Sequence, residues 1–216
     1  MVAGFSQSPP NPALMRFAEA ERERRGGSIL RVLDLGCGAG RNALPLVRAG
    51  CEVLGTDTSW PMLEAASRRA RVAGLSSNLH LAQAPMDRLP VLDGSIELLI
   101  AHGIWNLARS ATEFRSGLRE AARAAKPGAT LFLFTFSRDT LPSTATPVAG
   151  ETFVFTQFSG QPQCFLTADQ IGDELGSAGF VPDPAVPLHC LNPRQGLLRS
   201  SAPVIFEGTF RYTPQR

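Results

Sequence analysis

The residues with the most chemical content stand close together near the start of the chain. Gly36, Gly38 and Gly40 alternate within Asp34-Leu35-Gly36-Cys37-Gly38-Ala39-Gly40-Arg41-Asn42, directly after the apolar pair Val32-Leu33. A second apolar run, Val53-Leu54-Gly55-Thr56-Asp57, ends in another acid. Glycine lets a chain leave a strand through φ values that other residues avoid, and lets a ligand lie against bare backbone. An acid at the tip of the next strand can accept both hydroxyls of a ribose. Together these features make a cradle for a nucleotide-type cofactor. The spacing is G-x-G-x-G, whereas a dinucleotide site reads G-x-G-x-x-G. Asp34, just ahead of the glycines, would repel a pyrophosphate and suits a cationic amino-acid head group. As alternatives, Asp34 could be a salt-bridge partner and Asp57 a turn or capping acid.

Further along, His102 and Trp105 follow the apolar run Ile96 to Ala101. A histidine at a strand's carboxyl tip could touch the cofactor, act as a base near neutral pH, or simply hydrogen-bond a loop. Trp105 could wall an acceptor pocket, offer its π face to a cation, or pack in the core. The cysteines (Cys37, Cys51, Cys164, Cys190) show no C-x-x-C and no finger spacing with histidine, so free thiols and no metal are expected.

The elements that must position these residues alternate. Ala13 to Arg25 has helical spacing and stops at Gly26-Gly27. Ile29 to Leu35 reads as a strand buried on both faces, Arg41 to Ala49 as a helix, and Glu52 to Thr56 as a strand. Ser59 is placed to cap a helix with Pro61 in its first turn. Asn78 to Ala82 and Ile96 to Ala101 are further strands. Capping boxes at Ser110-Ala111-Thr112-Glu113 and Thr167-Ala168-Asp169-Gln170 each open a helix. Pro127-Gly128 should end the first of these helices, ahead of a strand at Thr130 to Phe136. Phe180-Val181 and Val204 to Tyr212 close the series. Strands alternating with helices predict an α/β, doubly wound, mostly parallel sheet. The expected organisation is a tail and helix over 1–28 and one domain over 29–216. A proline-, threonine- and glycine-rich insertion at 137–165 interrupts it, either as a lid over the ligand or as a surface excursion with a small hairpin at Thr152 to Thr156.

The run from Asp34 to Asn42 with Asp57 resembles motif I and the acidic second-strand tip of class I S-adenosylmethionine-dependent methyltransferases. Asp87-Arg88-Leu89-Pro90, Asp93-Gly94-Ser95, Lys126-Pro127-Gly128-Ala129 and Ala178-Gly179-Phe180 are similar to later landmarks of that superfamily, in the same order. Gly40-Arg41-Asn42-Ala43-Leu44-Pro45-Leu46 is similar to its tellurite-resistance and thiopurine methyltransferase-like subgroup. The resemblance implies a seven-stranded Rossmann-like sheet with its last strand antiparallel, and S-adenosyl-L-methionine as cofactor. It implies cofactor contacts from Asp34, Gly36, Cys37, Gly38, Gly40, Asn42, Asp57, Thr58, Met62, Pro85, Met86 and His102. Where the superfamily often carries an adenine-binding acid, this chain has Ala84-Pro85-Met86, and Met86 serves equally well as core filler. The strand leading to His102 lacks the Asn-Pro-Pro-aromatic run of many amino-methylating relatives, which argues against nucleobase nitrogen as the acceptor. His102 and Trp105 are the catalytic candidates.

Bulk properties narrow the partners. Net charge is +2, with 21 basic and 19 acidic side chains dispersed through 216 residues, so no basic stripe points to nucleic acid. No apolar run approaches the roughly 20 residues that a membrane helix needs. The N-terminus has no signal-peptide pattern, so a cytoplasmic monomer or homodimer acting on a small molecule is expected. The lack of a histidine–aspartate dyad favours an acceptor that ionises easily: a thiol or chalcogen, a small acid or a phenol. Phe153, Phe155, Phe158, Phe165 and Trp105 could line its pocket, and Arg194 and Arg199 could clamp a carboxylate. A cofactor-binding regulatory or scaffold protein, and a nicotinamide dehydrogenase, are the competing readings.

Overall fold

The structure is a computed structural model and describes residues 8–193 and 202–214. After helix α1 (Pro12–Arg24), the chain alternates β1 (Arg31–Leu35), α2 (Ala43–Arg48), β2 (Glu52–Asp57), α3 (Trp60–Val72), β3 (Leu79–Gln83), β4 (Ile96–His102), α4 (Ala111–Ala124) and β5 (Ala125–Phe136). A two-stranded hairpin, β6 (Val154–Phe155) with β7 (Gln163–Cys164), precedes α5 (Ala168–Ser177), β8 (Phe180–Pro182), β9 (His189–Leu191) and β10 (Ile205–Tyr212). The main sheet runs β3-β2-β1-β4-β5-β10-β8. β1 to β5 are parallel, and β10 is antiparallel to β5.

The central strands are mostly apolar, Asp34, Glu97 and His102 apart, because helices cover both faces. Val32, Leu98, Ile100 and Phe132 pack with Leu14 and Phe17 of α1 and Leu44, Leu46 and Val47 of α2. Leu33, Leu99, Leu131 and Leu133 point the other way, into Phe114, Leu118 and Ala121 of α4 and Ile171 and Leu175 of α5. Adjacent strand residues point to opposite faces, and the register Val32↔Leu98 with Leu33↔Leu99 keeps both layers continuous. α1 is further tied to the far edge by Arg211, which pairs with both Glu21 and Asp183.

Several expectations need correction. Among the described residues the sheet has eight strands rather than seven. β8 pairs only with Phe210–Tyr212, leaving the other half of β10's edge open, and β9 covers it at Ile205–Glu207. Pro127-Gly128 does not separate α4 from β5. The strand already begins at Ala125, and a register shift between Ile96 and Leu98 absorbs the proline and the positive φ of Gly128. Ser59 stands at the start of α3, but its side chain makes no capping bond. Ser110 accepts from the Glu113 N–H, while the Glu113 carboxylate reaches back to the Arg109 N–H, one residue before the cap. The box at Thr167–Gln170 closes in both directions.

Candidate active site

A cleft of about 600 Å³ opens across the carboxyl ends of the central strands. Its lining comes from the loop after β1, the tips of β2, β4 and β5, and the hairpin. The carboxyl edge of an open α/β sheet, where the strand order reverses, is where such folds bind ligands.

The glycines have different tasks. Gly36 has φ +65°, and a Cβ there would lie 2.7 Å from the side chain of Ile104. Gly38, at φ +53°, would point a Cβ into open space. The first glycine permits close packing beneath the cleft, and the second leaves bare backbone to a ligand. Asp57 orients the loop: its Oδ2 accepts from Gly38 N at 2.9 Å and its Oδ1 from Ser59 N at 2.8 Å. Each oxygen retains a lone pair that a ribose hydroxyl could use.

Beneath this loop Asp34 is 2% exposed, and its Oδ2 has no hydrogen-bond partner. Burial lifts its carboxyl to about 7; the charge of Arg41 opposes that rise and the charge of Asp57 adds to it. Asn106, also 2% exposed, lines the cleft with an Oδ1 that lacks a partner. Asn106 thus gives the cleft an acceptor that a ligand N–H can satisfy, and the acids Asp57 at the loop and Asp34 beneath it do not fit a pyrophosphate. These acceptors suit S-adenosyl-L-methionine and disfavour a nicotinamide dinucleotide. Cys37 lines the cleft as an inert thiol, its pKa pushed up by burial.

His102 stands at the tip of β4 with its ring stacked on Phe134, centroids 4.0 Å apart and planes 11° apart. Its Nδ1 lies 2.9 Å from Nη2 of Arg41, and its Nε2 lies 3.3 Å from Nδ2 of Asn11. Asn11 caps α1 through Oδ1 and gives its amide N–H to Glu207 at 2.6 Å, while its backbone N–H bonds Asn42 Oδ1. Burial and then the charge of Arg41 pull the His102 pKa down to about 3. Both causes disfavour the imidazolium, which argues against the expected base near neutrality.

Of the residues expected at the site, Gly36, Cys37, Gly38, Asp57, Met62 and His102 line the cleft, whereas Asp34 is buried beneath the loop, outside the lining. Gly40 lies behind the loop against Leu44 and Ala66, and the Asn42 side chain holds Asn11. Thr58 and Pro85 are exposed, outside the lining. Met86 packs beside Gly117 with Trp105. Trp105 is 1% exposed and sits edge-on to Phe114 in the core, because the short turn at Trp105–Leu107 folds it inward. Its proposed place in the pocket is therefore corrected. Phe153, Phe155 and Phe165 are likewise buried, leaving Phe158 and Gln163 as the hairpin's contribution to the cleft. Arg194 and Arg199 lie outside the described residues. Sequence reasoning missed Arg41, Asn106, Phe134 and Phe136; only Arg41 carried a signal, its place directly after the last loop glycine. Among the described residues no cluster of His, Cys, Asp and Glu could hold a metal, and no helix is long and apolar enough to cross a membrane.

Residues 32–128 match the family model described as "Methyltransferase domain". The chain is 34% identical over 117 residues to a demethylmenaquinone methyltransferase of Corynebacterium urealyticum, covering 54% of this chain and 46% of that protein. It is 26% identical over 170 residues to a ubiquinone biosynthesis O-methyltransferase of Chelativorans sp., covering 76% and 64%. The chain thus spans about half to two thirds of the length of these relatives. Its fold superposes with TM-score 0.68 and 18% identity on a Burkholderia thailandensis 1,6-didemethyltoxoflavin-N1-methyltransferase, covering 94% of this chain and 79% of that one. That enzyme was crystallised with 1,6-didemethyltoxoflavin and S-adenosylhomocysteine.

Proposed function

We propose that the chain, whose residues 32–128 match a methyltransferase-domain model, transfers a methyl group from S-adenosyl-L-methionine to a small, flat phenol or acid. The observation that carries this reading is the division of one cleft into two sectors. Over β1 and β2, the bare backbone of Gly38, the carboxylate of Asp57 and the buried acceptor of Asp34 are suited to an amino-acid nucleoside. Over β4 and β5, Phe134, Phe136 and Phe158 are suited to an aromatic ring.

In this reading Asp57 takes the ribose, and Gly36, Cys37 and Gly38 lie along the methionine portion. Met62 flanks the nucleoside, and Asn106 accepts a ligand N–H or O–H. The cofactor supplies a methyl group already activated on a sulfonium. The protein's own task is alignment and exclusion of water, of which alignment alone can be worth about 7–11 kcal/mol. A neutral His102 with a pKa of about 3 is too weak to ionise an alcohol. That favours acceptors that lose their proton without a strong base, such as aromatic acids and acidified phenols. The aromatic sector favours phenols and aromatic acids over thiols and chalcogens, and the tellurite and thiopurine subgroup remains the less supported reading. The names of the quinone-pathway relatives are consistent with this preference.

The test is release of S-adenosylhomocysteine across a panel of phenols, aromatic acids, thiols, selenite and tellurite. Turnover confined to phenols and acids supports the proposal, and turnover on thiols or tellurite alone overturns the acceptor class. Tight S-adenosylhomocysteine binding without turnover on any member would point to the regulatory alternative.

A further inference from the structure

The half-buried cations of the described residues other than Arg41 are satisfied in one of two ways: Arg22, Arg69 and Arg138 donate to backbone carbonyls, and the rest pair with carboxylates. Arg25, Arg123, Lys126 and Arg211 all pair with Asp or Glu. Arg41 breaks the pattern. It is half-buried and lines the cleft, yet among the described residues its one hydrogen-bond partner is the neutral ring of His102. Asp34 is near enough to feel its charge but makes no ion pair with it among the described residues. A guanidinium has five N–H donors, and one imidazole nitrogen satisfies little of that capacity. A cation withdrawn from water without an anion is unfavourable unless a ligand supplies one.

Its position narrows the ligand. Asp57 and His102 end strands on opposite sides of β1, so they flank the glycine loop from two directions. Arg41 reaches toward His102, whose ring lies flat on Phe134. Beyond that stack come Phe136 and Phe158, ring centroids 5.2 Å apart, with Phe158 46% exposed at the rim. A guanidinium at the edge of an aromatic wall is suited to an aromatic ring bearing an anionic oxygen.

We propose that Arg41 is the anion-binding residue of the acceptor sector, holding a phenolate or aromatic carboxylate by charge-assisted hydrogen bonds while His102 fixes the guanidinium's orientation. This rests on the acceptor reading above and deepens it. Arg41 favours the ionised form of an aromatic acid or an acidified phenol, whose proton leaves to solvent before any transfer.

The experiment reads ionisation rather than turnover. Para-nitrophenol is titrated by absorbance in the presence of the protein saturated with S-adenosylhomocysteine. The bound probe should ionise about one pH unit below the free probe, the scale of an opposite charge at close range. Arg41→Gln should abolish that shift and Arg41→Lys should retain part of it. In both variants S-adenosylhomocysteine affinity by calorimetry should stay within about twofold, because a neutral or charge-conserving change here leaves the cofactor's contacts in place. An unshifted probe, or no probe binding at millimolar concentration, overturns the proposal. So does a tenfold loss of S-adenosylhomocysteine affinity in Arg41→Gln with the probe shift intact, which would assign Arg41 to the cofactor's carboxylate. Because no methyl is transferred, failure of methylation and failure of anion binding remain separate results.

Discussion

The two halves of the cleft are built by opposite means. Over β1 and β2 the ligand surface is backbone and carboxylate: Gly38 leaves space, Asp57 is oriented by two N–H donors, and Asp34 is buried with an unsatisfied oxygen. Over β4 and β5 the surface is aromatic: His102 stacked on Phe134, then Phe136 and the hairpin's Phe158. The first half comes from short-range chain geometry within about 25 residues. The second is assembled from segments far apart in sequence. Under Asp57 the buried cost is an acid's, at Asp34, whereas beside the aromatic wall it is a cation's, at Arg41.

The sharpest way to break this comparison is to remove the stored cost. Asp34 has a carboxyl raised to about 7, above its usual value of 3.8. Its favourable contribution is therefore full below about pH 4 and is lost as pH rises through 7. Asp34→Asn should stabilise the ligand-free protein by about 2–4 kcal/mol at pH 8, with the gain disappearing toward pH 4. His102 works in the other direction. Its pKa of about 3 lies below the usual 6.5, so its contribution is full above 6.5 and is lost as pH falls toward 3. His102→Gln should flatten the acid side of the profile alone. Urea unfolding from pH 4 to pH 8 measures both, and a flat profile for Asp34→Asn minus wild type would refute the buried-acid account.

Next in size is the sugar grip. Asp57→Ala removes charge-assisted bonds to Gly38 and Ser59 as well as the proposed ribose contacts, so S-adenosylhomocysteine affinity should fall about 100-fold by calorimetry. An unchanged affinity would remove the cofactor from this sector. The smallest effect belongs to the rim of the acceptor half. Phe158→Ala should raise the acceptor KM about fivefold by loss of one aromatic contact, with S-adenosylhomocysteine affinity unaltered. A variant that weakens both ligands equally would show that the two halves are not separate.

The geometry of the glycine loop and Asp57 was legible because it follows from local rules. A strand that must turn sharply needs glycine, and the next parallel strand lies alongside it, so Asp57 could be placed opposite the loop before any fold was known. Asn42, Thr58, Pro85 and Met86 were harder, since nearness in sequence to a loop does not fix which way a side chain points. Asn42 turns away to bind Asn11, and Met86 turns inward beside Gly117. The extra strand β9 was invisible for a related reason: Leu188 to Leu191 has no strand pattern of its own and pairs because β10 leaves an edge open.

By itself the sequence determined the alternation of elements, the central apolar strands, the glycine loop and its two acids, since each depends on spacing within one or two neighbouring segments. Tertiary structure alone decided that Trp105 goes to the core, that Phe158 rather than Phe153, Phe155 or Phe165 reaches the cleft, and that Arg41 meets His102. The physical reason is that burial, and with it the pKa of Asp34 and His102, is set by everything packed around a residue. Most of those neighbours, such as Asn11 and Glu207 beside His102, are brought together only when the sheet closes.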